Sequence, residues 1–247
     1  MDPQQMATAL RGESPAINAA FSRPVPDLQR ISGVPRMIQF IRHGATALNN
    51  DDVSVDRMRG WTDVPLSKDG MAEAEKLGQK LTNDPPNHII SSDLKRAYET
   101  ARIISEHTNA PVTATMAFRP WNVGNLAGRS SKEGIPILAK YAAQAPHEPV
   151  PGGESFNNFR SRFFNGLHDT LSRYGGNPAI VAHHRNERLL HAWIKAGYPP
   201  DGSIDVDEFN KKGEHTGSAM KLLLPMDKVA AVASHPIGQS LLQKGAA

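Results

Sequence analysis

Short apolar runs alternate along this chain with longer segments in which apolar residues recur every three or four positions. The runs have the length of strands and lie at residues 37–41, 88–90, 111–116, 179–182 and 220–224. The segments between them have the periodicity of helices with one apolar face. Strands that alternate with helices predict an α/β fold, a three-layer sandwich in which a mainly parallel central sheet carries helices on both faces.

Two of the predicted helices have recognisable starts. Ser67 is placed to cap a helix whose apolar face runs from Met71 to Leu81, and Ser155 precedes a longer helix with phenylalanines on one face. Further helices are predicted through residues 94–104 and 189–194. The stretch before Ser155 is rich in proline and glycine, which is typical of a loop.

A shift in composition after residue 36 and the end of the strand pattern divide the chain into three parts. Residues 1–36 contain five prolines among small and polar residues, and this predicts a loosely ordered N-terminal arm. Residues 37–226 hold all the predicted strands and are expected to form a single domain. Residues 227–247 are predicted to be a C-terminal tail.

Charge and cysteine content narrow the functional classes. The 247 residues include no cysteine, which excludes disulfides, thiolate metal sites and cysteine nucleophiles. The formal net charge is only +3 and the basic residues are scattered, so nucleic acid is not an expected partner. No apolar run reaches the roughly 18 residues of a membrane span, and no signal peptide is recognisable. We therefore expect a cytoplasmic protein without a membrane partner, and a homo-oligomer is compatible with the sequence.

Histidines and arginines follow the predicted strands. The carboxyl ends of parallel strands meet at one edge of a sheet, where ligands of such folds bind, so these residues are expected to converge. Neutral imidazole is a nucleophile at neutral pH, and guanidinium groups match phosphate in charge and geometry. The pattern favours phosphoryl chemistry without a cofactor or a metal ion. The segments concerned are Arg42-His43-Gly44, residues 91–96, Arg119-Pro120-Trp121 and His183-His184-Arg185.

At these positions the sequence resembles the histidine phosphatase superfamily, also called the phosphoglycerate mutase-like family, over most of residues 37–224. An isolated Arg-His-Gly is a weak signal, whereas the whole set in this order and spacing is specific. The matching segments are Arg42–Thr46 with Asn49, Gly60–Leu66 with Gly70, Ser91–Ala97 with Glu99–Ala101, Gly152–Ser155, and the apolar strand that ends in His183.

The resemblance implies a role for each matching position. His43 would be the phosphorylated nucleophile, and Arg42, Arg96 and His183 would complete the phosphate pocket. Other matching residues would hydrogen-bond the phosphate, orient the loop that does so, or border the pocket; for Arg59 a surface role is the alternative. This expected substrate-binding set is Gly44, Thr46, Asn49, Arg59 and Gly60.

One departure from the family concerns the general acid. Relatives commonly carry a glutamate where Pro120 stands, and proline cannot donate a proton. Glu154, at a helix start in a Gly-rich loop, is one candidate replacement. His184 is another, because it directly follows the second pocket histidine, where the family often has glycine and a related branch has a proton-donating aspartate. Asp63 and a water molecule are the remaining alternatives.

The function expected from these residues is hydrolysis of a phosphomonoester through a phosphohistidine at His43. The substrate would be a phosphorylated small molecule or a phosphoprotein. A phosphoglycerate mutase, which returns the phosphoryl group to a second position of its substrate, is the alternative enzyme. Mutases carry longer insertions around the pocket, where this chain is compact. A binding or structural module without turnover is the alternative outside enzymes, because Pro120 replaces the acid.

Overall fold

A central sheet organises the part of the chain that the computed structural model describes, residues 34–235. Its order is β3-β2-β4-β1-β5; β1 to β4 are parallel, and β5 is antiparallel to β1. The predicted α/β fold is confirmed, and residues 1–33 of the predicted arm lie outside the described range. The strands are β1 (Arg36–Arg42), β2 (Ile89–Ser92), β3 (Val112–Thr115), β4 (Ala179–Ala182) and β5 (Ala219–Leu224).

The sheet separates two apolar cores. Successive side chains of a strand point to opposite faces. In β1, Ile38 and Phe40 therefore belong to one core and Ile41 to the other. Helices α1 and α2 cover the Ile41 face, and α4, α5 and α7 contribute to the larger core on the other face. The helices are α1 (Lys68–Leu81), α2 (Lys95–Thr108), α3 (Ser131–Gln144), α4 (Phe156–Arg173), α5 (His184–Lys195), α6 (Val206–Phe209) and α7 (Met226–Ser234).

The two predicted caps are confirmed. The hydroxyl of Ser67 accepts the N–H of Gly70, and that of Ser155 accepts the N–H of Asn158, each at 3.1 Å. The predicted apolar face of α1 was wrong at Met71, whose side chain is 44% exposed. The buried stripe instead begins one residue earlier, at a glycine, and consists of Gly70, Ala74, Leu77, Gly78 and Leu81.

Helix α3 corrects the prediction of a loop before Ser155. Its start was present in the sequence, because Ser130 accepts the N–H of Glu133 in the arrangement of a capping serine. Pro136, inside the helix, disguised it. Leu138 and Ala142 bury the inner side of α3 against the larger core. The segment thus forms a wall of the domain.

The C-terminal boundary at residue 226 was too early. Helix α7 continues the domain to Ser234, and Val229 and Val232, three residues apart on one face, are buried in the larger core. Residues 236–247 of the predicted tail lie outside the described range. Between residues 34 and 235, no helix combines the length and the apolar character that crossing a membrane requires.

Candidate active site

His43 lies directly after β1 in a cleft of about 680 Å³. Its Nδ1 is 2.7 Å from the carbonyl oxygen of Gly44. Because a carbonyl only accepts hydrogen bonds, Nδ1 carries the proton and Nε2 keeps its lone pair. Burial, followed by the charge of Arg96, lowers the pKa of His43 well below 6.5. The ring is therefore neutral, with a defined tautomer and a lone pair on Nε2.

Gly44 packs the loop that follows His43 against the start of α1. Its N–H donates to the hydroxyl of Thr100 at 3.0 Å. A Cβ on Gly44 would lie 2.3 Å from the carbonyl oxygen of Gly70, so only glycine lets the loop lie against the start of α1. Gly44 does not line the cleft. The contacts of Gly44 give it a packing role, and its place in the substrate-binding set stays a prediction.

His183 is the N-cap residue of α5, and its ring is in edge-to-face contact with His43. The ring is buried, and neither Nδ1 nor Nε2 has a hydrogen-bond partner within the protein. Burial, followed by the charge of Arg96, lowers the pKa of His183 well below its ordinary range. Since buried polar atoms are normally paired, these nitrogens are available to a ligand.

Arg42 and Arg96 have the same property. Each lines the cleft, and each has a buried Nε without a hydrogen-bond partner. The remaining nitrogens of Arg96 are held in place, because Nη1 donates to the carbonyl of Thr62 at 2.8 Å and Nη2 to that of Gly60 at 2.9 Å. Burial lowers the pKa of Arg96 to about 9. Three side chains with unpartnered nitrogens, those of Arg42, Arg96 and His183, thus line the same cleft as His43.

Of the remaining predicted binding residues, three line the cleft and one lies behind it. Asn49, Arg59 and Gly60 line the cleft. Nη1 of Arg59 donates to the carbonyl of Leu48 at 2.8 Å and to Asp56 at 3.1 Å. Thr46 is buried behind the cleft surface. Its N–H and hydroxyl both donate to Oδ1 of Asn49, at 2.9 and 2.8 Å, so Thr46 orients Asn49.

Glu154 does not occupy the position expected of a general acid. It is absent from the cleft lining. Its Oε1 accepts the N–H of Asn122 at 2.9 Å and Nη2 of Arg162 at 2.6 Å. Arg162 also donates to the carbonyl of Pro120 at 3.2 Å. The Glu154 carboxylate and Arg162 together hold the loop that carries Pro120, which is a structural role for Glu154.

His184 lines the cleft but is not an acid either. Its Nε2 accepts the N–H of Gly213 at 3.1 Å, so the ring is neutral with its proton on Nδ1. Burial, followed by the charge of Arg185, lowers the pKa of His184 well below 6.5. A neutral imidazole is a very weak proton donor. Asp63 is also engaged, since its carboxylate accepts the N–H of Lys95 at the start of α2 (2.7 Å).

The sequence analysis missed Glu73 at the cleft, and it did not predict the contact that Arg185 makes. Glu73 accepts the N–H of Ala45 at 2.9 Å and the hydroxyl of Thr216 at 3.0 Å, and so joins the nucleophile loop to the segment before β5. Arg185 lies over the ring of Phe209, 4.9 Å from its centroid, and burial lowers its pKa to about 10. These contacts join distant parts of the chain, so local patterns carry no signal for them.

Two further expectations concern Arg119 and the absence of a metal site. Arg119 follows β3 but does not join the cleft, because its guanidinium binds both carboxylate oxygens of Asp93 at 2.7 and 2.6 Å. Across the described range, no three or more His, Asp or Glu side chains are grouped so that they could hold a metal ion. The cationic side chains that line the cleft are arginines and lysines, namely Arg42, Arg59, Arg96, Arg185, Lys211 and Lys212.

Known proteins with similar sequences and folds were compared with this chain. The family model of the histidine phosphatase superfamily (branch 1) matches residues 38–208. The probable phosphoglycerate mutase GpmB of Yersinia pestis (strain Pestoides F) is 29% identical over 151 residues, which cover 59% of this chain and 68% of that protein. YhfR of Bacillus stearothermophilus has a TM-score of 0.61 and 26% identity over 75% of this chain and 90% of its own. A mycobacterial glucosyl-3-phosphoglycerate phosphatase in complex with VO3 has a TM-score of 0.56 and 26% identity, with the same two coverages.

Proposed function

The chain belongs to the histidine phosphatase superfamily, and on that premise we propose that it hydrolyses phosphomonoesters through a phosphohistidine at His43. One observation carries the proposal. Three side chains that line the same cleft as His43 have buried nitrogens without a protein partner: they are Nε of Arg42, Nε of Arg96, and Nδ1 and Nε2 of His183. The two guanidinium N–H groups and the single N–H of the neutral His183 ring suit the oxygens of a transferring phosphoryl group.

The proposed reaction has two displacements. In the first, Nε2 of His43 attacks phosphorus, the bond to the ester oxygen breaks, and the leaving oxygen takes a proton from water. The ring retains its Nδ1 proton and becomes positively charged, and the Gly44 carbonyl that accepts this proton stabilises the charge. In the second, water attacks phosphorus, the N–P bond breaks, and phosphate leaves with neutral His43 restored.

The leaving group is the part of the substrate that this site supports least. Pro120 lines the cleft where relatives carry an acid, and Glu154 and His184 are engaged elsewhere. Esters of acidic alcohols, such as phenols, need little protonation when they leave. Apolar side chains also form part of the cleft wall, which suits an aryl or apolar leaving group; these are Val53, Met58, Trp121, Val123, Ile135 and Leu138.

Mutase-type phosphoryl transfer is the second candidate function. It is favoured by the similarity to a protein named as a probable phosphoglycerate mutase and by Arg185, Lys211 and Lys212 at the cleft, which suit a substrate with a carboxylate. Hydrolysis is preferred for a chemical reason. An acceptor hydroxyl must lose its proton to attack phosphohistidine, and a mutase therefore needs the acid–base group that Pro120 replaces.

The proposed function is tested by a panel of phosphorylated metabolites and aryl phosphates, with His43→Ala as the blank. We expect release of inorganic phosphate from at least one aryl phosphate and none from the blank. Incubation with 3-phosphoglycerate, followed by ³¹P NMR, separates the candidates, because a mutase forms 2-phosphoglycerate and a phosphatase forms inorganic phosphate. Turnover that persists in His43→Ala contradicts the mechanism. Phosphate binding without any turnover identifies a binding module.

A further inference from the structure

The first turn of α5 and the loop before β5 form a hydrogen-bonded array beside Arg42. His184 and Glu187 are three residues apart, so their side chains share one face of the helix. Nε2 of His184 accepts the N–H of Gly213 at 3.1 Å, and Oε1 of Glu187 accepts the N–H of Glu214 at 2.8 Å. One helical turn therefore holds two successive N–H groups of the loop.

The same loop holds Arg42. The carbonyl oxygen of Glu214 accepts a hydrogen bond from Nη1 of Arg42. This contact fixes one end of the guanidinium group, whereas its Nε remains buried without a partner in the protein. Glu214 is thus bonded through its N–H to Glu187 and through its C=O to Arg42. The loop transmits the position of α5 to the arginine.

The loop lies close to the side chains of α5 at Gly213. A Cβ at this position would lie 2.6 Å from Oε1 of Glu187 and 2.7 Å from Cδ2 of His184. A side chain at this position would displace the ends of the Glu187 and His184 side chains, which carry the acceptors of the two loop N–H groups. Glycine therefore lets both acceptors lie close to the loop.

Charge joins Glu187 to Arg42 as well. Glu187 is 1% exposed, and its Oε2 is buried without a hydrogen-bond partner. Burial lowers the pKa of Arg42, and among the surrounding charges Glu187 raises that pKa most, ahead of Asp56 and Glu73. Burying a carboxylate costs solvation free energy. The attraction between Glu187 and the guanidinium of Arg42 offsets part of that cost.

We propose that His184 and Glu187 are positioning residues for Arg42: they fix Gly213 and Glu214, and through them they direct the Arg42 guanidinium at the phosphoryl group. The inference rests on the proposed function in taking a phosphoryl group as the ligand. It also accounts for a histidine at position 184, where related sequences often have glycine: the side chain is an acceptor for the loop.

A double-mutant cycle tests this relationship. The variants are Glu187→Gln, Arg42→Gln and both together, and the readout is kcat/KM on 4-nitrophenyl phosphate. Arg42→Gln should lose on the order of a hundredfold, as removal of one transition-state donor does. Glu187→Gln removes the charge that acts on Arg42 and turns the acceptor of the Glu214 N–H from a carboxylate into a weaker amide oxygen. It should lose about tenfold in the wild-type background and less than about twofold beside Arg42→Gln, because no guanidinium is then left to position. Equal losses in both backgrounds overturn the proposal.

A conservative replacement tests His184. His184→Gln keeps an acceptor for the Gly213 N–H, whereas His184→Phe keeps a ring without one. The Gln variant should retain activity within about threefold, and the Phe variant should lose about tenfold, the size of coupling expected between bonded neighbours. Equal activities of the two variants contradict the role of the acceptor. This pair carries the test if Glu187→Gln does not fold.

The matched control is Glu99→Gln. The Glu99 carboxylate is also partly buried and also accepts a loop N–H, that of Leu66 at 2.9 Å, but this loop is not bonded to Arg42. Its effect should be the same in the presence and absence of the Arg42 guanidinium. A dependence on Arg42 as large as that of Glu187 would mean that the cycle reports general destabilisation, and would overturn the assignment.

Binding of inorganic phosphate, measured by calorimetry, separates this inference from the proposed function. If the protein binds phosphate and hydrolyses no ester, the proposed function fails, and the same cycle in phosphate affinity still tests the positioning. Non-additive losses in affinity then support it, and additive losses overturn it. A wild-type protein that binds no phosphate overturns both.

Discussion

The imidazole rings of His43 and His183 lie edge to face, with centroids 5.0 Å apart and an angle of 61° between their planes. Both rings are buried beside Arg96, which disfavours a positive charge on either one. One ring has its Nδ1 bonded to a carbonyl, and the other has both nitrogens free. In the proposed mechanism, His43 is the nucleophile and the neighbouring His183 donates to a phosphoryl oxygen.

The pH dependence of turnover should reflect this burial. Attack requires neutral His43, and its pKa is lowered well below 6.5. The acidic limb of kcat/KM should therefore lie well below pH 6.5. A pH–rate profile on an aryl phosphate measures this, with correction for protonation of the substrate. An acidic limb at or above pH 6.5 would contradict the neutral pair.

Stability should depend on pH for the same reason. In the unfolded chain each histidine binds a proton near pH 6.5, whereas the folded protein resists protonation of His43 and His183. The unfolded state thus binds more protons below pH 6.5, and the free energy of unfolding falls with decreasing pH by up to about 1.4 kcal/mol per pH unit for each histidine. Urea denaturation between pH 7.5 and 5 measures the slope. His183→Gln should have a shallower slope than the wild type.

A covalent intermediate should be detectable on His43. Brief incubation with ³²P-labelled substrate should leave label that is lost in acid, retained in base and located on a peptide containing His43. His183→Gln is the useful companion variant, because slower turnover without loss of the nucleophile leaves labelling at the same site. Label on a serine would refute the mechanism.

Arg96 should be intolerant of lysine. A point-charge ammonium cannot hold the carbonyls of Gly60 and Thr62 and also offer a directed donor to phosphate. We expect Arg96→Lys to lose on the order of a hundredfold in kcat/KM. Arg102→Lys, on the exposed side of the same helix, is the matched control and should be near normal. Similar activities for the two variants would remove Arg96 from the phosphate site.

A carboxylic acid at position 120 should extend the range of substrates. Pro120 lines the cleft, so a glutamate there is placed to protonate a leaving oxygen. Since positioned acids contribute about 10²–10⁴-fold, Pro120→Glu should raise turnover of alkyl phosphates by about tenfold or more and change that of aryl phosphates little. Pro120→Gln keeps the size without the acid. An equal gain in both variants would show that protonation is not the cause.

The sequence predicted which candidate site residues lie together where they follow parallel strands. It did not predict hydrogen bonds between residues that are far apart in the chain. His43 and His183 follow buried parallel strands, whose ends meet at one edge of any such sheet. Glu154 is a candidate acid in the sequence because no local pattern indicates its hydrogen bonds to Asn122 and Arg162. The role of His184 requires Gly213, 29 residues away. Such pairings become visible only when the fold brings the partners together.

The hydrogen bonds from Arg96 to the carbonyls of Gly60 and Thr62 have a consequence for the fluorescence of the protein. Between these two residues stands Trp61, whose indole N–H donates to the carbonyl of Pro120 at 2.9 Å and whose ring lies under Arg119, 4.7 Å from its guanidinium carbon. The arginine proposed to bind phosphate thus holds both peptide neighbours of a partly exposed fluorophore. The other two tryptophans, Trp121 and Trp193, are fully buried. Occupancy of the cleft should therefore change the fluorescence that Trp61 contributes, and comparison with Trp61→Phe separates this contribution from that of the two buried tryptophans.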